Sequence, residues 1–301
     1  MQEHAWVADA EKVLGISLST DNRNGDRAAD GPCPKCGGTD RFLVYNESGY
    51  AKCTHCPYKT WWKKNGSRGS VQDVIQTFKE ERAELKVKML DVDWKVYHRV
   101  LMDNRNLWSE CQKRKFTEMS MINFGLGYAY GGPTGSMNPT LTIPVFMDGV
   151  LVDIRHKFLT PPKPGYKYRS HFSGVLPFPY NYDSISEHTP TVIVLEGELK
   201  VISFVQDGWS SSIGISGKNM VRSFLPQIED KVSEDQKWII AFDTEVDAET
   251  QALQLANGLS AMGVKDIRLA FFPLKPDDFL LKYGKENTET VLAQAIRYRN
   301  K

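Results

Sequence analysis

The sequence predicts a multidomain chain of α/β and α+β class. A small β ribbon comes first, a helical connector next, then a β-rich subdomain and a Rossmann-like parallel sheet. Three observations carry that prediction. Two Cys-x2-Cys pairs, Cys33/Cys36 and Cys53/Cys56, are separated by 16 residues. Three apolar runs in the second half, residues 191–195, 238–242 and 267–272, each lead into carboxylates. Between these regions lies Asn65-Gly66-Ser67-Arg68-Gly69-Ser70, a flexible joint by composition.

At 301 residues, 41% hydrophobic and 25% charged, the chain has a globular composition and room for several domains. A net charge of +1 excludes a uniformly basic polyanion binder, so any nucleic-acid surface must be a local patch. No apolar run approaches the roughly twenty residues that span a bilayer, and no membrane partner is expected. The start, Met1-Gln2-Glu3-His4-Ala5-Trp6, has neither the basic nor the apolar region of a secretory signal. Four of the five cysteines fall in the two pairs, which points to metal binding in a reducing compartment, with the cytoplasm as the default.

Residues 1–65 form the first predicted domain. Trp6, Val7, Ala10, Val13 and Leu14 mark a short helix closed by Gly15. The Cys pairs have the spacing of a four-thiolate zinc site, each pair on a tight knuckle and the spacer long enough for a hairpin. Residues 41–45 and 50–52 read as its strands, joined by Asn46-Glu47-Ser48-Gly49. His55 could replace one cysteine, but four thiolates complete a tetrahedron, and His55 is expected as a surface neighbour. Arg41, Phe42, Tyr45, Tyr50 and Lys52 could share a face, and Lys59-Thr60-Trp61-Trp62-Lys63-Lys64 follows. Cations between aromatics suit a single-stranded nucleic acid, whose phosphates take the charge while its bases stack on rings. The candidates are Arg41, Phe42, Tyr50, Lys52, Trp61 and Lys63. A competing reading puts Trp61 and Trp62 in the ribbon's small core and leaves the lysines solvated.

Residues 66–115 are the linker and connector. Ser70 can cap a helix through Val71, Val74, Ile75 and Phe78. A second helix is expected from about Asp93 through Trp94, Tyr97, Val100, Leu101 and Leu107 to Cys111, its aromatic stripe facing the core. Cys111, alone in that segment, reads as a small buried residue. Residues 116–189 follow with a short helix, Gly125-Leu126-Gly127-Tyr128, and a hairpin of 141–146 and 150–158 about Asp148-Gly149. Residues 151–171 hold five Lys/Arg against one Asp. Such a strip beside an acidic cluster is where a template or nucleoside triphosphates would lie, with Arg155, Lys157, Lys167 and Arg169 as contacts.

Residues 190–301 carry the sheet. Residues 191–195 suit a strand buried on both faces, as in a parallel sheet. Such sheets place ligands at the carboxyl ends of their strands, where Glu196 falls. The arrangement recurs at Asp243-Thr244-Glu245-Val246-Asp247 and, after the third run, at Lys275-Pro276-Asp277-Asp278. Carboxylates that converge need cations, and an all-oxygen donor set suits Mg or Mn. Ser216-Gly217-Lys218-Asn219, after a strand over 211–215, could touch phosphate through Lys218. It is no Walker A loop, because the earlier glycine that loop needs is Ser212. A last helix is expected over 290–298.

Glu196-Gly197-Glu198, Asp243-x-Glu245 and Asp277-Asp278 resemble, in that order, the three acidic motifs of a TOPRIM domain. Pro32-Cys33-Pro34-x-Cys36-Gly-Gly-Thr39-Asp40-Arg41-Phe42 resembles the zinc-binding domain of phage and plasmid primases. Gly125-Leu126-Gly127-Tyr128 resembles the entry of DnaG-type catalytic domains. Ile143-Pro144 with Asp148-Gly149, and Arg155 or Lys157 after them, resemble that family's hairpin and its basic residue. Lys167-Tyr168-Arg169-Ser170 resembles the segment before its TOPRIM sheet. Together these cover nearly the whole chain, which thus resembles a DnaG-type DNA primase of bacterial, phage or plasmid kind.

The resemblance implies an N-terminal zinc ribbon that selects the start site, with structural zinc on Cys33, Cys36, Cys53 and Cys56. It implies a primase core whose small β-rich subdomain precedes a TOPRIM Rossmann-like sheet. Catalytic Mg or Mn would sit on Glu196, Asp243 and Glu245, with Asp247, Asp277 or Asp278 assisting. Glu196 either ligates metal or acts as a base. The implied reaction joins ribonucleoside triphosphates into a short RNA primer on a single-stranded DNA template, with phosphates held by Arg155, Lys157, Lys167, Arg169, Lys200 and Lys218. A separate replicative helicase and polymerase would be partners. Two departures stand out. Glu245 replaces the family's usual second Asp, which leaves the ligand between Glu245 and Asp247 open, and Lys200 stands where many primases carry Asp. Two other classes stay open: a TOPRIM nuclease or DNA-cleaving enzyme, and a non-catalytic single-strand-binding module.

Overall fold

Three sheets, one with side chains alternating between core and surface and two with central strands buried on both faces, form in a computed structural model of the chain. It describes residues 5–20, 28–46, 50–56, 58–61, 92–130, 138–162, 167–171, 178–216, 221–244 and 246–299, with the side chains of 59–61, 222, 246 and 247 outside that description. The chain divides into two units, residues 1–74 and 75–301. The division falls inside the expected connector rather than at residue 65. The helix expected around Val71 to Phe78 lies outside the described residues.

In the first unit α1 (Ala5–Leu14) ends at Gly15 and buries Ala10. Strands β1 (Ala28–Cys33), β2 (Gly37–Tyr45), β3 (Tyr50–Cys53) and β4 (Lys59–Trp61) form an antiparallel sheet in that order. The sequence reading missed β1 and β4. Asp, Gly and Pro are poor strand formers, and β1 extends because β2 pairs with it from Ala28↔Tyr45 to Gly31↔Phe42. The period of two in β2 buries Phe42 and Val44 and leaves Arg41, Leu43 and Tyr45 half-buried.

In the second unit the helix expected over 93–111 is broken. It consists of α2 (Trp94–Asp103), a 3-10 turn (Arg105–Leu107) and α3 (Ser109–Lys113). Asn104 is the cause: its backbone is extended (φ −130°, ψ 91°), and its side chain accepts the Asn106 N–H to start the next turn. The stripe faces the core except at Val100, which is exposed. Leu101 and Cys111 are fully buried, and Trp94 meets Phe146 edge-on at 5.5 Å.

Helix α4 (Glu118–Asn123), capped by Thr117, leads to a sheet of β5 (Gly127–Ala129), β6 (Thr140–Met147), β7 (Val150–Phe158) and β8 (Tyr168–Ser170). The β6–β7 turn has positive φ at both Asp148 (53°) and Gly149 (70°), as a two-residue type I′ hairpin requires. Both turn N–H groups donate to the Asp183 carboxylate, at 2.6 and 2.9 Å.

The third sheet contains β9 (Thr191–Glu196), β10 (Ser212–Ile215), β11 (Lys237–Ala241), β12 (Asp266–Leu269) and β13 (Ile296–Arg297), in the order β10-β9-β11-β12-β13. The first four are parallel, and Val192, Ile193, Val194 and Leu195 are all buried. Helices α5 (Glu198–Gln206), α6 (Val221–Ile228), α7 (Val246–Ala261) and α8 (Pro276–Ala293) connect them. The helix expected over 290–298 stops at Ala293. Ile296 and Arg297 instead pair antiparallel with β12, which satisfies backbone groups at the sheet edge. One apolar core runs through this unit from Leu101 to Ala295. Among the described residues no helix is long and apolar enough to cross a membrane.

Candidate functional site

The sulfurs of Cys33, Cys36, Cys53 and Cys56 all lie within 4.8 Å of one another. Cys33 and Cys56 are 3.8 Å apart, Cys36 and Cys53 3.6 Å. A tetrahedron with Zn–S bonds of about 2.3 Å has S···S edges of about 3.8 Å, so the tetrad fits zinc. Backbone N–H groups of the knuckles point at the sulfurs: His55 and Cys56 donate to Cys53 Sγ at 3.3 Å each, and Lys35 to Cys33 Sγ at 3.4 Å. Burial opposes a thiolate at Cys53, but the N–H bonds from Cys56 and His55 outweigh it and bring the thiol down to about 6. His55 is exposed, as expected of a neighbour rather than a ligand.

The aromatic-basic face is smaller than the sequence suggested. Phe42 is fully buried and stacks on Tyr58 with ring centroids 5.6 Å apart, so it belongs to the core and cannot stack on a base. Arg41 and Tyr50 are half-buried and Lys52 is exposed. Trp61 stands opposite Tyr50 in the backbone register; its side chain and Lys63 lie outside the described residues.

The acidic motifs meet in the second unit. At the end of β9 the chain turns through Gly197, whose φ of 92° demands glycine although nothing crowds its Cβ position. This turn starts α5 and places Glu196 and Glu198 on a cavity of about 610 Å³. Asp243, two residues beyond β11, lines it too, as do Asp277 and Asp278 from the first turn of α8, a helix end that favours anions. The other wall comes from β7 and β8, with Arg155, Lys157, Lys167 and Tyr168. Arg169 is on the wrong side: it pairs with His156 in the register, so the period of two turns it away from the face of Arg155 and Lys157. That expected contact is corrected.

Each strand-end acid has a cation of the chain beside it or next to its neighbour. Arg155 donates from Nε to Glu198 Oε1 at 3.1 Å and from a terminal nitrogen to Ser170 Oγ at 2.8 Å. Ser216 Oγ donates to the same Glu198 oxygen at 2.8 Å. Arg114, from the connector, meets Asp277 at 2.6 Å. Lys200 lies 3.2 Å and Lys275 3.4 Å from the two oxygens of Asp243. Lys157 meets Glu110 at 2.7 Å. Burial pushes the Glu110 carboxyl up, but Lys157 and Arg114 outweigh it and hold it below the ordinary range.

Glu198, Arg114 and Lys275 were not among the sequence candidates. Glu198 stood in a quoted motif without a role, whereas Arg114 has no local signal at all. Glu245, Lys218 and the side chain of Asp247 lie outside the described residues.

Asp243 Oδ1 and Asp277 Oδ1 are buried and accept no hydrogen bond. As carboxylate oxygens these acids suit a hard divalent ion, which would share them with Lys200, Lys275 and Arg114. Among the described residues only the cysteine tetrad brings three or more donor atoms within 4.8 Å of one another. The carboxylates thus share a cavity without already forming a coordinating cluster.

Neither a family model nor a curated protein matches the chain. Solved structures do match. The zinc-binding and RNA polymerase domains of Aquifex aeolicus primase align over 96% of this chain and 86% of theirs, at 15% identity and a TM-score of 0.52. The E. coli primase catalytic core aligns over 73% of this chain and 80% of its own, at 15% identity and a TM-score of 0.51. A DnaG primase catalytic domain bound to single-stranded DNA aligns over 74% and 83%, at 15% identity and a TM-score of 0.52.

Proposed function

We propose, from a chain that has the fold of DnaG-type primases, that this protein is a DNA primase. It would join ribonucleoside triphosphates into short RNA primers on single-stranded DNA. One observation carries the reading: carboxylates after β9 and β11 and at the start of α8 share one cavity with the cations of β7 and β8.

Glu196, Asp243, Asp277 and Asp278 would hold Mg or Mn, with Glu245 or Asp247 completing the set. Such ions, when bound, stabilise the attacking and leaving oxygens of an in-line displacement. The chain's own groups do the rest. Arg155, Lys157 and Lys167 hold triphosphate oxygens or template phosphates. Glu198, Ser170 and the Tyr168 ring, 6.0 Å from the Arg155 guanidinium, fix the direction of Arg155. Glu196 is also the candidate base for the attacking hydroxyl.

Residues 1–65, stapled by zinc on the four cysteines, form the template-reading module, with Arg41, Tyr50 and Lys52 toward the strand. Residues 66–115 tether it, 116–189 are the β-rich part of the core, and 190–301 the TOPRIM sheet. A separate replicative helicase and polymerase act beside it in the cytoplasm of a bacterial host. The four-cysteine set favours phage or mobile-element origin.

Labelled ribonucleotides and single-stranded templates of varied sequence test this. Short RNA products are expected, and Glu196→Gln or Asp243→Asn should reduce them more than about 100-fold, beyond what outer-shell partners contribute. A shortened template in place of primers would replace the reading with a nuclease. Undiminished synthesis in both variants would remove the catalytic assignment.

A further inference from the structure

Lys200 occupies the first turn of α5, where the free N–H groups of a helix end disfavour a cation. Its side chain is only 13% exposed. Two oxygens hold it there. The Glu196 carbonyl accepts from Nζ at 2.8 Å, and Asp243 Oδ1 lies at 3.2 Å. The ammonium thus ties the end of β9 to the acid that follows β11. Lys275 Nζ stands 3.4 Å from the other Asp243 oxygen, on a side chain 46% exposed. Asp243 is therefore neutralised by ion pairing, but the 3.2 Å approach of Lys200 to its Oδ1 lacks hydrogen-bond geometry, and Asp277 Oδ1 accepts no hydrogen bond. Charge is balanced while the capacity of these oxygens is left unused, a state in which a hard divalent ion competes well with an ammonium.

We infer that Lys200 is a resident cation of the cavity, one that competes with divalent ions for Asp243 and so sets how tightly the cavity holds them. The inference rests on the cavity being a Mg or Mn site, as proposed above. A divalent ion that reaches Asp243 displaces the ammonium, which stays tethered in the cavity and becomes available to a phosphate. Lys200 is a positioning residue in this sense. It acts through Asp243, and it makes ion binding and phosphate binding mutually supportive.

Mn²⁺ binding to the full zinc-loaded chain, followed by calorimetry and by the spin resonance of free Mn²⁺, tests this without any turnover. Lys200→Met and Lys200→Gln should each tighten Mn²⁺ binding by at least about tenfold, the scale expected from removing a positive charge close to a divalent ion in a partly desolvated site. Lys200→Arg, which keeps the charge, should stay near wild type. Lys275→Met should shift the affinity less, because solvent screens its more exposed side chain. The neutral variants should also melt lower than wild type without divalent ions and gain more from Mn²⁺, a crossing that simple loss of packing does not produce. Lys200→Gln keeps a donor for the Glu196 carbonyl and guards against a Met variant that fails to fold. Unchanged or weaker Mn²⁺ binding in the neutral variants, with binding still abolished by Asp243→Asn, would overturn the role of Lys200 alone. Wild-type-like binding in Asp243→Asn would overturn the metal reading, and this inference with it.

Discussion

In residues 1–74 four sulfurs lie within 4.8 Å of one another. In residues 75–301 the acids are separated by the chain's own cations: Arg155 on Glu198, Arg114 on Asp277, Lys200 on Asp243. Charge explains the contrast. Sulfurs can share protons: burial and the neighbouring sulfurs push Cys36 up to about 12 while Cys53, 3.6 Å away, comes down to about 6, so they can gather before an ion arrives. Carboxylates are anions at neutral pH, and uncompensated neighbours would repel. The cores differ in parallel. Among the described residues the first unit's core cluster is Ala10, Cys33, Phe42, Val44, Ala51 and Cys53, and two of those belong to the cysteine tetrad. The second unit buries side chains as large as Trp238, Tyr182 and Phe204 around its sheets. A domain as small as the first needs a staple, and the second does not. The tetrad thus suits a metal that staples a small fold, whereas the second unit balances its gathered acids with cations of its own chain.

Zinc removal should break the contrast most strongly. Structural zinc contributes about 10–16 kcal/mol at neutral pH in sites of this kind, more than so small a core can replace. Cys33→Ala, or a chelator, should abolish zinc and unfold the ribbon while the helices and sheets of the second unit persist. Zinc analysis with circular dichroism reads both halves of that statement. Primer initiation should fall sharply, and extension of a supplied primer should survive. Lost extension in a variant whose second unit is still folded would contradict the division of labour.

The acid cavity should instead be sensitive to loss of a cation. Arg114→Met removes the 2.6 Å partner of Asp277, whose carboxyl is 5% exposed. Breaking one side of a buried pair costs about 3–5 kcal/mol; with Arg114 itself 24% exposed, about 2–3 kcal/mol is expected. Pairing the change with Asp277→Asn should restore most of the loss, since no unpaired charge then remains. Denaturant midpoints at constant slope measure both variants. Equal losses in the single and double variants would show that packing by Arg114, rather than charge, is what matters.

What the sequence disclosed follows the same line. The cysteine tetrad was legible because its chemistry is local: two pairs, two knuckles and a spacer of fixed length. Strands β9 and β11 were legible because burial on both faces leaves continuous apolar runs. Strand β1 was not, since pairing with β2 extends its Asp, Gly and Pro, and β4, three residues long, is too short to show a period. Phe42 was misassigned because aromatic character alone does not say which face of β2 it occupies, and the burial of alternate residues does. Arg114 was invisible for a different reason. Its partner lies 163 residues away, and no local pattern distinguishes it from a solvated helix cation. The break at Asn104 hid behind a stripe of apolar residues that fits a continuous helix.

The smallest predicted effect concerns acid, and it separates the units once more. His156 and His171 are buried 3.1 Å apart behind β7, with Thr140, Asp153 and the Tyr97 ring around them. Burial, then the neighbouring His171 and Arg169, pull His156 from 6.5 down to about 3. Burial and Arg169 lower His171 as well. Below pH 6.5 the unfolded chain gains protons at these sites that the folded chain refuses. Their neutral burial is therefore fully tolerated above pH 6.5, and stability is lost as pH falls from there toward about 3. Each histidine contributes a slope of up to about 1.4 kcal/mol per pH unit. Burial raises the Asp153 carboxyl, which has the opposite sense: the folded state keeps a proton there that the unfolded state releases, and this adds stability as pH falls through the folded value. In an Asp153→Asn background, which removes that opposing contribution, the window from pH 6.5 to roughly 5 reads the histidines, above the ordinary carboxylate range. His156→Gln should flatten the pH dependence of the second unit's denaturant midpoint there by close to one proton. A profile parallel to that of Asp153→Asn alone would mean that His156 is protonated in the folded chain, and the neutral pair would have to be abandoned.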